Sequence, residues 1–171
     1  IYVSLDSADV WSERKEFLLD GEGKPSKVAG VPPDYFSEDG QLWGNPLYDW
    51  EAMRRDGFGW WIRRVEGASK LFDVIRIDHF RGLESYWAVP AGSETAREGT
   101  WEKGPGMDLL GVLSSWFQGV AFIAEDLGIL TDGVHQLREA SGLPGMKVLE
   151  FAFSDPSNAY LPHNHQTRCV C

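Results

Sequence analysis

Residues 73–78 read DVIRID and residues 120–125 read VAFIAE. Each run is short, rich in Val, Ile, Ala or Phe, apolar on both faces over part of its length, and closed by a carboxylate. A strand with one solvated face alternates polar and apolar residues, whereas a strand buried on both faces of a parallel sheet does not. Residues 1–4 (IYVS) and 146–153 (MKVLEFAF) read the same way. Helical patterns separate these runs. Over 50–71, Trp61, Val65, Ala68 and Leu71 recur at three- and four-residue spacing, with Arg54, Arg55, Arg63 and Arg64 off that stripe. Residues 107–117 repeat the pattern with Leu109, Leu110, Leu113, Trp116 and Phe117. Residues 131–141 begin at Thr131 or Asp132, either a good N-cap, and end before Gly142, a good residue to follow a helix. Strand–helix alternation predicts an α/β fold with a parallel sheet.

Two stretches interrupt the alternation. Residues 20–49 and 88–106 are rich in Gly and Pro and read as long loops. Loops of that length inside a compact domain usually carry function.

The chain of 171 residues is long enough to bury a core, and 43% hydrophobic with 25% charged residues is ordinary for a globular protein. Sixteen Lys and Arg against 26 Asp and Glu leave a net charge of −10. That balance argues against nucleic acid and against an anionic membrane surface, both of which recruit clustered cations. Eight Trp, five Tyr and nine Phe are an unusual load. Aromatic faces fill cores, and they also stack on the C–H face of a sugar ring. Cys169 and Cys171 sit one residue apart and do not make a disulfide framework, which fits a reducing compartment. The chain has no 18-residue apolar run and no signal-peptide pattern, and its two ends read as those of an internal piece of a longer protein.

The residues suited to chemistry gather at strand ends. DVIRID closes on Asp78, followed by His79, and VAFIAE closes on Glu125, followed by Asp126. Active sites of α/β barrels and open α/β sheets lie at the carboxyl ends of the strands, so the two acids are candidates for a cooperating pair. Arg76 and Asp78, two apart on a strand, share a face. A guanidinium there keeps the carboxylate ionised, as suits a nucleophile. Glu125, ending an apolar strand, is expected to hold its proton more readily, as suits a general acid. The plainer alternative is a structural Arg76–Asp78 ion pair and an N-cap role for Asp126. A metal site from His79, His163 and His165 with these acids is a weaker reading, because no HxH or HExxH pattern falls on a strand or helix.

Several motifs in one order carry a resemblance: GVPPDYFSEDGQLWGNPLYDW at 30–50, RIDHFRG at 76–82, IAEDLG at 123–128 and LPGMKVLEFAF at 143–153. Together they resemble the 4-α-glucanotransferases, the amylomaltase and disproportionating-enzyme family (glycoside hydrolase family 77). The resemblance implies a (β/α)8 barrel like that of the α-amylases and a retaining mechanism on α-1,4-glucans. It implies Asp78 as nucleophile and Glu125 as general acid/base, with Arg76 and His79 on the donor sugar. It sets Asp34, Tyr35, Gln41 and Trp43 on a loop near bound glucan, where Tyr35, Phe36 and Trp43 offer stacking faces. It implies no metal and no organic cofactor. The partners it implies are an α-1,4-glucan donor and a glucose or glucan acceptor, with neither nucleic acid nor membrane. The compartment expected is the cytoplasm, or the plastid in a plant.

On this reading residues 1–171 are the central part of one catalytic barrel domain, about its third to sixth strands, truncated at both ends. The family's third carboxylate, in a THDN motif, has no counterpart in the sequence, and the chain alone is expected to be inactive. Two other readings stay open: an amylolytic hydrolase using the same Asp78 and Glu125, and a piece that only binds glucan.

Overall fold

A computed structural model describes residues 1–34, 37–128, 130–165 and 168–171. After an extended start come a short helix, α1 (Ala8–Ser12), and a 3-10 turn at Arg14–Glu16. Strands β1 (Lys27–Val31) and β2 (Gln41–Pro46) lead to helices α2 (Trp50–Arg55) and α3 (Gly59–Ser69). Next come β3 (Val74–Ile77), a 3-10 turn at Phe80–Leu83, β4 (Ser85–Pro90), β5 (Thr100–Lys103) and helix α4 (Met107–Trp116). The order closes with β6 (Ala121–Ala124), helix α5 (Asp132–Ser141), β7 (Gly145–Met146), 3-10 turns at Leu149–Phe151 and Pro162–Asn164, and β8 (Cys169–Val170).

The two apolar runs pair as expected, though only Ile77 of β3 and Ala124 of β6 are buried, so the expected burial on both faces is not found. β3 and β6 pair in parallel, with Val74 opposite Ala121 and Ile77 opposite Ala124. Beside them, the amide of Ala124 donates to the carbonyl of Pro144 at 2.9 Å, which brings the chain entering β7 against β6. β7 pairs in parallel with β8.

The other two strand expectations need correction. Residues 1–4 are extended but form no strand among the described residues. Their carbonyls are taken by side chains instead: Tyr48 Oη donates to Ile1 O at 2.7 Å and Asn45 Nδ2 to Val3 O at 2.8 Å. Of 146–153 only Met146 is in a strand, and Leu149–Phe151 turns into a 3-10 helix with Leu149 and Phe151 exposed.

The two presumed loops contribute the largest sheet. β1 and β2 come from the first, β5 from the second, and β4 runs into its start; they form a four-stranded antiparallel sheet in the order β2-β1-β4-β5. The long helical stretch is also divided. Gly57 (φ 72°) and Phe58 (φ 60°) both take left-handed backbone between α2 and α3. Phe58 is a costly residue there, and its burial at 3% exposure offsets the strain. Leu71, expected on the buried stripe, lies beyond the end of α3 and is exposed. α4 buries Leu109, Leu110 and Leu113 as expected, but Trp116, read on the same stripe, is exposed; α5 matches its pattern. α5 ends at Gly142 in left-handed backbone, though Thr131 at its N-cap makes no side-chain cap bond.

Three tryptophans serve the core. Trp50, Trp60 and Trp61 are buried around Tyr48 at centroid separations of 4.9–5.5 Å. Phe80, Leu83, Leu109 and Val134 extend that core beneath the parallel strands.

Candidate active site

Register sets the geometry. The β3–β6 ladder runs one residue past the last paired strand positions, because the amide of Glu125 donates to Ile77 O at 2.9 Å and that of Phe80 to Glu125 O at 3.1 Å. Asp78 and Glu125 therefore follow neighbouring parallel strands at the same, carboxyl-terminal end.

Arg76 and Asp78 share a face, as two-residue spacing requires, and an Arg76 terminal nitrogen donates to Asp78 Oδ1 at 2.5 Å. Both side chains are about half exposed, so the pair contributes little to stability and chiefly orients the carboxylate. Arg76 does not reach the main cleft. It lines, with Asp78, an apolar hollow among Trp61, Val65 and Leu113.

His79 turns the chain between the two acids. Its backbone is left-handed, at φ 50° and ψ 50°, uncommon for a residue with a Cβ and a mark of local constraint. That turn aims its amide at Glu125 Oε2, 2.7 Å away, while the Leu127 amide donates to Oε1 at 3.0 Å. Both oxygens of Glu125 are thus gripped by backbone donors from the turns after β3 and β6. The apolar setting expected for Glu125 is corrected by this finding: polar main-chain groups face its carboxylate. Burial pushes the His79 imidazole down to about 4, and the positive charge of Arg81 acts in the same direction. The ring is neutral at pH 7 and packs edge-on to Trp43 at 4.7 Å.

Asp126 is not an N-cap. It is buried, accepts from the Met146 amide at 2.7 Å and pairs with Arg138 Nε at 3.2 Å. It ties α5 and the start of β7 to the end of β6.

The antiparallel sheet forms the wall opposite. A cleft of about 680 Å³ is bounded by Asp34, Gln41 and Trp43 on that side and by His79 and Glu125 below. Trp43 Nε1 donates to Gln41 Oε1 at 3.1 Å, and Asp34 Oδ1 accepts from the Ser37 amide at 2.9 Å. A recess of about 180 Å³ shares Trp43 and His79 with the cleft and holds Asp78. The structure thus brings Asp34, Gln41, Trp43, His79 and Glu125 to one cleft with Asp78 adjoining. Tyr35 and Phe36 lie outside the described residues. Reading the sequence missed Arg81, Glu84 and Trp101, which line the same cleft. The aromatic-acid alternation of TWEK at 100–103 was the available signal for Trp101, hidden inside a stretch taken for a loop. Among the described residues no three His, Cys, Asp or Glu side chains converge as metal ligands.

The comparisons with known proteins bear on this arrangement. The sequence model of the glycoside hydrolase 77 family, described as 4-alpha-glucanotransferase, matches residues 1–171. The chain belongs to that family. The 4-alpha-glucanotransferase of Aquifex aeolicus is 57% identical over 164 residues, covering 96% of this chain and 34% of its own length. The chloroplastic/amyloplastic 4-alpha-glucanotransferase of Solanum tuberosum is 54% identical over 171 residues, covering 99% of this chain and 30% of its own length. Among solved structures, the amylomaltase of Streptococcus agalactiae in complex with acarbose superposes with a TM-score of 0.93 at 40% identity, over 99% of this chain and 34% of that one. The chain spans about a third of the length of the curated relatives it matches. Its fold is of the amylomaltase class. Among the described residues no helix is long and apolar enough to cross a membrane.

Proposed function

We propose that this chain carries the catalytic pair of a retaining 4-alpha-glucanotransferase, which moves a segment of an α-1,4-glucan to a 4-hydroxyl of glucose or another glucan. The observation that supports this most is the register of Asp78 and Glu125 on adjacent parallel strands. Neighbouring strands are about 4.8 Å apart, and retaining chemistry uses carboxyl groups about 5–5.5 Å apart, leaving no room for a water between nucleophile and sugar.

In this mechanism Glu125 gives its proton to the glycosidic oxygen as the bond breaks. Asp78 attacks the anomeric carbon and a covalent glycosyl-enzyme forms. Glu125, now a carboxylate, takes the proton of the acceptor 4-hydroxyl as that oxygen displaces Asp78. The backbone donors on both oxygens of Glu125 fix the position of its carboxyl group for both half-reactions. Arg76 orients the Asp78 carboxyl group, and neutral His79 has ring nitrogens to offer the donor sugar. Asp34, Gln41 and Trp43 hold glucan along the wall. No metal or organic cofactor takes part in these steps. β3 and β6 are then neighbouring staves of a (β/α)8 barrel of which residues 1–171 form the central part, and the compartment is the cytoplasm or a plastid.

The test is a pair of variants in the complete protein that contains this chain. Asp78→Asn should abolish both transfer and the covalent intermediate. Glu125→Gln should still glycosylate Asp78 from α-glucosyl fluoride, whose leaving group needs no proton, and should accumulate the adduct because the acceptor has lost its base. Mass spectrometry of a peptic digest reads the adduct. A glucosyl group on Glu125 or Asp126 reverses the assignment, and inversion without an adduct removes the retaining mechanism.

A further inference from the structure

Eight tryptophans occur in the chain, and among the exposed ones Trp101 on β5 shares with Trp43 alone a place in the cleft that holds Glu125. It is 46% exposed and lines the cleft that holds Glu125, whereas the exposed Trp11 and Trp116 do not line that cleft. Its ring is held. The Arg81 guanidinium lies 4.3 Å from its centroid. Trp87, its direct cross-strand partner, meets it nearly edge-on at 5.2 Å and 63°. Trp87 is itself anchored, because its Nε1 donates to Ala96 O at 2.9 Å. An indole fixed by a cation and by an anchored neighbour, yet left open to a cleft, is a preorganised flat surface that loses little side-chain entropy when a ligand covers it.

Position along the cleft gives the surface its use. Asp78 sits in the smaller recess past His79 and Trp43, and Trp101 does not line that recess. Trp101 shares its space with Glu125. In a retaining transfer the nucleophile meets the donor sugar, and the acid/base meets the oxygen between that sugar and the next one. The sugar beyond Glu125 is therefore the leaving or incoming one. We propose that Trp101 is the stacking platform for the acceptor-side hexose, and so a determinant of which acceptors are used. This rests on the glucanotransferase reading above.

The experiment is acceptor kinetics on the complete protein that contains this chain. Transfer from a fixed, saturating maltooligosaccharide donor is measured against glucose and maltose as acceptors, for wild type, Trp101→Ala and Trp101→Phe. Losing one stacking face should raise the acceptor KM of Trp101→Ala about 3- to 10-fold, with kcat at saturating acceptor within about two-fold. Trp101→Phe, which keeps a flat ring, should recover at least half of that loss. An unchanged acceptor KM in Trp101→Ala overturns the assignment, as does a fall in kcat without a rise in KM. A Trp101→Phe protein as weak as Trp101→Ala overturns stacking as the cause. If the wild type itself transfers nothing, the parent reading fails with this one. If the wild type transfers and the variants match it, this inference alone is lost.

Discussion

The neutral state of His79 has a measurable cost at low pH. In an unfolded chain the imidazole takes a proton near 6.5, whereas in the fold burial holds it back until about 4. Above 6.5 neither state binds the proton and the fold carries no penalty. As pH falls through that window only the unfolded chain is stabilised by protonation, so stability drops, and the loss is complete below the folded value. Linkage puts the loss at about 2 kcal/mol between pH 7 and pH 5 and about 3 kcal/mol by pH 4. The informative perturbation is His79→Asn. Asn does not titrate, and it tolerates the left-handed backbone that His79 occupies at φ 50°. Histidines labelled at Cε1 give four resonances, one for each His, and the one that vanishes in the variant identifies His79. It should titrate near 4, and urea midpoints should fall more steeply from pH 7 to pH 5 in the wild type than in the variant. A His79 resonance titrating between 6 and 7, or equal pH slopes in the two proteins, would refute the reasoning. The acid limb of the activity profile should then belong to groups other than this imidazole.

Other perturbations follow from the same contacts. Asp126→Ala removes the carboxylate from buried Arg138 and from the Met146 amide, and should cost about 3–5 kcal/mol in chemical denaturation; a loss under 1 kcal/mol would show that the pair is dispensable. Gly104→Ala sets a Cβ against the backbone carbonyl of Leu83, which only a main-chain shift can relieve, so a thermal midpoint within a degree of wild type would contradict the packing described. Trp116→Ser lies on open surface and should change stability by no more than about 0.5 kcal/mol in the same denaturation assay.

The parallel floor of the site was legible because DVIRID and VAFIAE are apolar runs without the strict alternation of a half-solvated strand, although only Ile77 and Ala124 of the paired residues are buried. Their order, pairing and carboxyl ends followed. The wall was not legible. At Gly30 an added Cβ would lie 2.7 Å from the Gln41 carbonyl and 3.2 Å from Val89, so this glycine lets strands approach closely rather than freeing a loop. Gly and Pro count as breakers in any local reading, and here they sit in the interior and at the end of paired strands. MKVLEFAF erred the other way. Its apolar run satisfies the pattern of a buried strand, yet past Lys147, whose amide still donates to Val170 O, the chain turns on itself, with Phe151 N donating to Val148 O at 3.0 Å. Asp34, Gln41, Trp43 and His79 came from resemblance, and neither spacing nor composition foretold that His79 would act through its main chain on Glu125.

The wall sheet also dictates an order of events as the chain folds. β1 pairs with β4, from Lys27 opposite Pro90 to Gly30 opposite Trp87. Between those partners lie α2, α3 and β3, the helices and the strand beneath the site. Closing so large a loop adds about 1.4 kcal/mol of chain entropy over closing the β1–β2 hairpin, and that cost is offset only if the enclosed segment is already compact. The helices and β3 should therefore condense first, with β4 zipping onto β1 afterwards. Amides of β1 and β4 should gain protection from exchange later in refolding than those of α3. The joining of β4 and β5 to the β1–β2 hairpin is thus the last step in building the wall of the cleft, and a chain stalled before it holds Asp78 and Glu125 beside half a wall.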